Sequence, residues 1–145
     1  MIRWQSEWTS STKGRWTYRL TPNIVDWTRR KHGQLNFYLT QVLTGHGCYK
    51  AYLYKYGHDV EEACRSCLDT SETAEHIFST SPRYEYRRNF LESTIGSHVT
   101  LDNEVNLMLT SCENWSAVCL FAKEVLVQQR ITERARTAEM DSSTR

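Results

Sequence analysis

The feature that most constrains this chain is a group of potential metal ligands near its centre. Two residues separate Cys64 from Cys67, eight separate Cys67 from His76, and four separate His76 from Ser81. Two thiolates at this spacing can bind one metal ion from a tight turn, and a histidine one turn into a following helix can point back at them. Structural zinc normally takes four protein ligands, and serine is not one of its usual ligands. The spacing therefore predicts three of the four ligands of a structural zinc site.

The missing fourth ligand leaves several interpretations open. Three upstream side chains are candidates to replace it, namely His46, Cys48 and His58. Without a replacement, zinc is weakly bound or has been lost, because metal binding and local folding are linked. Ser81 has a structural role that needs no metal, since it precedes Pro82 and can cap a helix that begins there.

Length and composition place these residues in a small soluble protein. The chain has 145 residues, enough for one modest core. No stretch approaches the roughly 18 consecutive apolar residues that would span a bilayer, and no signal-peptide pattern follows the first residue. We therefore expect an intracellular protein, nuclear or cytoplasmic, with no membrane partner. Its five cysteines are an odd number, and in a reducing compartment a Cys-x-x-Cys pair is more often a metal clip than a disulfide.

The spacing of apolar residues predicts helices along nearly all of the chain. Thr21 and Pro22 are suited to begin one helix and Gly33 to end it. The clearest helix is the last, where Thr110 and Glu113 fit a capping box. Its apolar residues repeat at helical spacing: Trp115, Val118, Cys119, Ala122, Val125 and Leu126. Short hairpins at residues 14–20 and at the cysteine pair are the only candidates for sheet.

The predicted fold is all-α, a compact bundle of short helices with a small Cys/His knuckle between them. We divide the chain into a basic, aromatic-rich helical region at 1–58, a degenerate zinc knuckle at 59–82, C-terminal helices at 83–136 and a flexible tail at 137–145.

Charge is distributed unevenly between these regions. Residues 1–58 contain nine Lys and Arg against two acidic residues, whereas the remainder contains nine basic and fifteen acidic residues. The first region also holds eleven of the seventeen aromatic residues. Cations that contact phosphates and flat side chains that stack on bases are what single-stranded nucleic acid binding needs. The alternative is that the aromatic side chains form the core and the charges form an ordinary solvated face.

Two groups of cations are candidates for phosphate contact. They are Arg29, Arg30 and Lys31, and then Arg83, Arg87 and Arg88. The first group also fits a role opposing the dipole at the end of the predicted helix. The second group also fits ion pairing with Glu85 or Glu92.

Four short motifs carry a resemblance to a known family. They are Thr44-Gly45-His46-Gly47, Cys64-x2-Cys67, Ala74-Glu75-His76 and Pro82-Arg83. From about Trp4 to about Arg136 the chain resembles the C-terminal region of the reverse-transcriptase polyproteins of non-LTR retrotransposons, in particular the insect type-1 elements that insert into ribosomal genes. The resemblance implies a Cys-Cys-His-Cys zinc knuckle beyond the polymerase thumb. Its ligands fall on Cys64, Cys67 and His76, and its last cysteine falls on Ser81.

The resemblance implies a nucleic-acid-binding fragment that grips RNA or target DNA during target-primed reverse transcription, with the remainder of the polyprotein as a partner. Polymerase chemistry needs clustered aspartates that hold two metal ions, and the chain lacks them. Asp59, Glu61 and Glu62 are neighbouring acids that we expect to form a solvated loop. The chain alone is therefore not predicted to be an enzyme, although the parent polyprotein would be an RNA-directed DNA polymerase with an endonuclease. The alternatives are a structural or protein-interaction helical module, or a decayed and inert copy.

Overall fold

A computed structural model describes residues 2–143 and confirms the all-α prediction. Within this range the chain forms nine α-helices and one short 3-10 helix, Pro82–Tyr84, and no β-strand. The α-helices in chain order are α1 (Ile2–Ser10), α2 (Arg15–Leu20), α3 (Ile24–Thr28), α4 (Phe37–Thr44), α5 (Lys50–Lys55), α6 (Ala74–Ser79), α7 (Glu85–Ile95), α8 (Glu104–Thr110) and α9 (Cys112–Ser143).

The two predicted hairpins are not strands in the structure. The segment at 14–20 contains α2 instead, so that prediction is wrong. At the cysteine pair the chain makes a single antiparallel bridge between Ala63 and Ser71. None of the helices in the described part of the chain combines the length and the apolar character needed to cross a membrane.

Helix α9 organises the packing, and at 32 residues it is not one of the short helices that the sequence predicts. It packs against α4, α7 and α8. Its buried face follows the predicted spacing, with Trp115, Val118, Ala122, Val125 and Leu126 in the core. The helix begins beyond Ser111 and runs to Ser143, so residues 137–143, where a flexible tail is expected, are helical. Residues 144–145 lie outside the described range, and the division of the chain into regions stays a prediction.

Local hydrogen bonds set the helix starts differently from the sequence prediction. The Asn23 side chain accepts a hydrogen bond from the Asp26 N–H at 3.0 Å, so Asn23 rather than Thr21 caps α3. The Ser111 hydroxyl accepts from the Asn114 N–H at 3.0 Å at the start of α9, in place of the predicted capping box. Both side chains satisfy N–H groups that lack a partner within the helix.

Gln129, on the buried face of α9, joins this helix to three other segments of chain. Its Nε2 donates to the Cys48 carbonyl oxygen at 2.8 Å and to Glu72 Oε1 at 2.9 Å. Its Oε1 accepts from Arg83 Nη1 at 2.8 Å and from the Tyr84 hydroxyl at 2.5 Å. Because Glu72 precedes α6 and Arg83 follows it, this one amide fixes both ends of the segment that carries His76.

A second buried polar contact fixes the chain that leads into the cysteine pair. The Asp59 side chain is 0% exposed, and its Oδ2 lies 3.3 Å from Lys50 Nζ and 3.1 Å from Arg136 Nη2. The prediction that Asp59 belongs to a solvated loop is therefore wrong, although its neighbours Glu61 and Glu62 are exposed. Two cations offset the cost of burying this carboxylate, and the group ties the loop to α5 and to α9.

Glu104, the first residue of α8, is a buried acid of a different kind. It is 5% exposed, and its carboxylate makes no hydrogen bond or ion pair with residues 2–143. It faces a cavity of about 20 Å³ that Arg88 and Glu92 also line. Burial raises the pKa of this carboxyl from its ordinary 4.5 to about 7.

Glu104 should make folding stability depend on pH. The folded chain keeps a proton on this carboxyl that the unfolded chain releases near pH 4.5, so stability should fall as the pH rises from about 4.5 to about 7 and then level off. Glu104→Gln should remove this fall and gain up to about 3 kcal/mol over the parent chain between pH 4.5 and pH 8. Urea unfolding at the two pH values measures it. Glu62→Gln, at an exposed acid, is the control, and equal pH profiles for all three chains would contradict the assignment.

Replacing Gln129 should destabilise the whole fold. Gln129→Leu keeps a similar volume but leaves the Glu72 carboxylate, Arg83 and the Tyr84 hydroxyl without their buried partner, which should cost about 3 kcal/mol or more in the free energy of unfolding. The matched control is Gln128→Leu, because the neighbouring amide donates only to Thr132 at 3.3 Å. Denaturant unfolding of both variants measures the difference. Equal losses in the two variants would show that Gln129 does not hold the fold together.

Candidate metal and nucleic-acid site

The loop that carries the two cysteines is closed by its own backbone hydrogen bonds. The Cys64 N–H donates to the Thr70 carbonyl at 2.7 Å, and the Glu72 N–H donates to the Glu62 carbonyl at 2.7 Å. Inside the loop the Leu68 N–H donates to the Cys64 carbonyl at 2.6 Å. Leu68 has a φ of +67°, a left-handed conformation that glycine adopts more easily. The chain accepts this strained turn directly after Cys67, and the turn brings the two thiols to the same side.

His76 is presented to the thiols by the first turn of α6. The Thr73 hydroxyl oxygen accepts a hydrogen bond from the His76 N–H at 3.1 Å and so starts the helix. Thr80 Oγ1 lies 2.9 Å from His76 Nδ1, and it also donates to the His76 carbonyl at 3.2 Å. If the hydroxyl donates its proton to the carbonyl, its oxygen can accept from Nδ1–H, and that tautomer leaves the lone pair of Nε2 available to a metal. Nε2 is buried without a hydrogen-bond partner.

The three side chains form a group that can bind one metal ion. The donor atoms of Cys64, Cys67 and His76 all lie within 4.8 Å of one another. Desolvation lowers the pKa of His76 and so favours the neutral imidazole that a metal requires. Desolvation, followed by the neighbouring Cys64, raises the pKa of the Cys67 thiol. An arriving metal ion must therefore displace a proton from Cys67.

No fourth ligand completes this group among the described residues. The upstream candidates His46, Cys48 and His58 do not join it, nor does any other His, Cys, Asp or Glu of residues 2–143. Ser81 is 0% exposed, and its N–H donates to the His76 carbonyl at 2.8 Å. Its hydroxyl is buried without a partner and makes no capping hydrogen bond to the following 3-10 helix. The predicted capping role of the Ser81 side chain is therefore wrong.

Arg83 and Arg87 are held by partners within the chain. Arg83 donates to Gln129, and Arg87 Nη1 forms an ion pair with Glu124 of α9 at 2.5 Å. Both arginines are half-buried. The sequence suggested ion pairs between these arginines and Glu85 or Glu92. Arg87 instead forms its ion pair with an acid of α9.

Arg88 joins α7 to the end of α6. Its Nη1 donates to the Ile77 carbonyl at 3.2 Å, and its Nη2 makes a short hydrogen bond to the Ser81 carbonyl. Burial lowers the pKa of this guanidinium. Arg88 therefore secures the chain on both sides of the turn that leads from His76 to Ser81.

In the group of Arg29, Arg30 and Lys31, one side chain has partners within the chain and the other two have none among the described residues. Arg30 lies over the ring of Trp27 at 4.3 Å and that of Trp115 at 5.4 Å, and it donates to the Trp27 carbonyl at 2.8 Å. Arg29 and Lys31 are exposed, and their side chains make no hydrogen bond or ion pair with the rest of the described chain. Because α3 already ends at Thr28, both cations lie just beyond its carboxyl end.

The two groups of cations do not form one cluster. Arg30 contacts Trp115 and Arg83 contacts Gln129, and these two positions are about 20 Å apart along α9. Sequence analysis missed Gln129 and Glu72 as the residues that position the knuckle. A signal existed for Gln129, since a glutamine that falls on the apolar face of an amphipathic helix needs buried partners.

Curated proteins similar to this chain are polyproteins of insect retrotransposable elements. The chain is 29% identical over 138 residues to the "Retrovirus-related Pol polyprotein from type-1 retrotransposable element R1 2" of Nasonia vitripennis, a match that covers 95% of this chain and 33% of that protein. It is 26% identical over 140 residues to the R1 4 polyprotein of the same organism, covering 92% of this chain and 34% of that protein. A match to the R1 polyprotein of Bradysia coprophila has 31% identity over 86 residues, covering 59% of this chain and 8% of that protein.

No family model and no solved structure matches the chain. The chain spans about a third of the length of the two Nasonia relatives and less of the third. The resemblance that the motifs indicate is nevertheless confirmed, because all three relatives have the same description. Over nearly its whole length, this chain is similar to part of the Pol polyproteins of insect type-1 retrotransposable elements.

Proposed function

We propose that the chain is a nucleic-acid-binding segment of a reverse-transcriptase polyprotein, from its C-terminal region, that grips RNA or target DNA during target-primed reverse transcription. The observation that carries the proposal is the similarity of 95% of the chain to a Pol polyprotein. The chain itself is proposed to be non-catalytic, with the polymerase and endonuclease in the rest of the polyprotein, which would be its partner in the nucleus or cytoplasm.

We propose zinc as the ion of the Cys64, Cys67 and His76 group. Two thiols and an imidazole suit zinc, and the unpartnered Nε2 of His76 is available to it. Bound zinc would cross-link the cysteine loop to α6, a structural role. With three protein ligands and Ser81 in the place of the fourth, the affinity should be lower than that of a four-ligand site.

Phosphate contact is proposed first for Arg29 and Lys31. They are exposed and free of intramolecular partners, which favours contact with an external anion. Arg30 is stacked beside them, whereas the second group of Arg83, Arg87 and Arg88 already donates to partners in the chain. We therefore assign that second group the smaller share of the binding.

A role in protein interaction is the second candidate, and one apolar surface favours it. Tyr86 and Phe90 on α7 are 80% and 57% exposed, and Leu120 on α9 is 47% exposed. Phe90 and Leu120 border a shallow groove between these two helices. Apolar side chains grouped on a surface are typical of contact with another protein surface.

The metal group should gain affinity when a cysteine at position 81 supplies a fourth ligand, the third thiol. The unmodified chain should hold less than one tightly bound zinc ion per molecule, and Ser81→Cys should hold one. The added ligand should raise the thermal midpoint in zinc, with a stabilisation of about 2.7 kcal/mol when free zinc is about 100 times Kd. Competition with a chromophoric chelator and thermal unfolding with and without zinc measure the two effects.

Ser79→Cys is the matched control, because Ser79 is exposed two residues before the buried Ser81. It should change neither zinc affinity nor stability. One zinc ion that resists a mild chelator in the unmodified chain would refute the three-ligand assignment.

Binding to a single-stranded oligonucleotide should weaken steeply with salt. The double variant Arg29→Gln/Lys31→Gln should lower the slope of log K against log salt concentration by about 1.4, since each phosphate contact on a single strand contributes about 0.7. Fluorescence anisotropy over a salt series measures the slope.

The control for this titration is Lys123→Gln/Arg130→Gln, which removes two exposed cations of α9. It should leave the slope unchanged. If the unmodified chain shows no binding at low ionic strength, the nucleic-acid function is excluded and the protein-interaction candidate takes its place.

A further inference from the structure

A largely apolar cleft of about 240 Å³ opens among α1, α2, α3 and α4. Side chains from all four helices and from the segment between α2 and α3 line it: Trp8, Thr17, Thr21, Ile24, Trp27 and Leu43. Trp27 of the cleft packs against Trp115 in the first turn of α9 at a ring distance of 5.6 Å, 14 residues before Gln129.

An arginine guanidinium lies over each of the two indole rings in the cleft. The guanidinium of Arg15 lies 5.3 Å from the ring centre of Trp8 and 4.3 Å from that of Tyr18. The guanidinium of Arg30 lies 4.3 Å from the ring centre of Trp27. Two aromatic surfaces for stacking thus have a fixed positive charge beside each of them.

Two of the hydrogen-bonding side chains of the cleft are already used within the chain. Trp8 Nε1 donates to the Thr21 carbonyl at 2.8 Å, and Thr17 Oγ1 donates to the Leu43 carbonyl at 2.7 Å. A ligand in the cleft would therefore meet flat and apolar surfaces and few free donors. Such a site selects by stacking and not by the pattern of donors and acceptors on the ligand.

Hydrogen bonds, and not core packing, hold the Trp8 side of the cleft. Helix α1 has no buried residue. Its Gln5 Nε2 donates to the Pro22 carbonyl at 2.8 Å, and its Gln5 Oε1 accepts from the Ile24 N–H at 2.8 Å. Because few apolar contacts are lost when α1 shifts, the width of the cleft can adjust to a flat ligand at small cost.

We propose that this cleft takes one unstacked base of a single-stranded nucleic acid, which stacks on Trp8 or Trp27. Arg15 and Arg30, whose guanidinium groups already donate to backbone carbonyls, add positive charge beside it, and the exposed cations Arg29 and Lys31 contact the neighbouring phosphates. Charge favours this occupant over an apolar protein segment, since residues 1–58 contain nine Lys and Arg against two acidic residues. Arg29 and Lys31, next in sequence to Arg30, extend the positive surface. The inference rests on the proposed nucleic-acid function and adds to it a binding site with no base preference.

The test compares two labelled oligonucleotides of equal length and charge, one of thymidines and one that carries abasic sugars throughout. The unmodified chain should bind the thymidine oligonucleotide about tenfold more tightly, because base stacking on an aromatic side chain is lost with the base. Ile24→Phe should fill the cleft and leave both indoles and both arginines in place. It should reduce this tenfold difference to less than about twofold and leave abasic binding unchanged.

Val60→Phe is the control, since it adds the same side chain at an exposed position outside the cleft, and it should keep the tenfold difference. Circular dichroism melting checks that both variants are folded, and Trp8→Leu repeats the test from the other side of the cleft if Ile24→Phe does not fold.

Equal binding of the two oligonucleotides by the unmodified chain overturns the cleft proposal and leaves the nucleic-acid function standing. No binding of either overturns both. A base-dependent difference that survives both Ile24→Phe and Trp8→Leu places the base stacking outside the cleft and also overturns the proposal.

Discussion

The side-chain amide of Gln129 holds the two segments of chain that bracket α6 and its candidate metal ligand His76. On one side it bonds to Glu72, which follows the cysteine loop, and on the other to Arg83, which follows Ser81. Gln129 is 3% exposed and its bond to Glu72 is buried, and an unsatisfied partner is costly in such an environment. The position of His76 relative to the two thiols therefore depends on α9 and not on a bound ion.

This arrangement explains how a group with three donors keeps its shape. In a small zinc module the ion itself supplies much of the folding energy, and loss of one ligand would undo the local structure. Here the loop is closed by backbone hydrogen bonds, and the buried Asp59 ties the approach to the loop to Lys50 and Arg136. A small hydroxyl at Ser81 fits a fully buried position without disturbing these contacts. The fold can thus tolerate serine there even if the metal is lost.

Features that depend on residues close together in the sequence were predicted correctly. The apolar spacing from Trp115 to Leu126 predicted the buried face of α9, and the spacing of Cys64, Cys67 and His76 predicted residues that the structure brings together. The wrong predictions for charged side chains have a common cause, because the ion-pair partners of these side chains lie far away in the sequence. Nothing near Asp59 in the sequence indicates that Lys50 and Arg136 will enclose it, and the partner of Arg87 is an acid 37 residues away. The capping residues were predicted wrongly for a simpler reason. Asn23 and Ser111, one or two positions from the predicted residues, are also suited to cap a helix.

We propose that Cys64, Cys67 and His76 are the protein ligands of one metal ion, a group that no other His, Cys, Asp or Glu of residues 2–143 joins. X-ray absorption spectroscopy at the zinc edge, on the unmodified chain loaded with less than one equivalent of zinc, tests it most directly because it counts sulfur ligands at about 2.3 Å. We expect two sulfur ligands, with nitrogen or oxygen at about 2.0 to 2.1 Å completing the shell. Three or more sulfur ligands, or none, would contradict it.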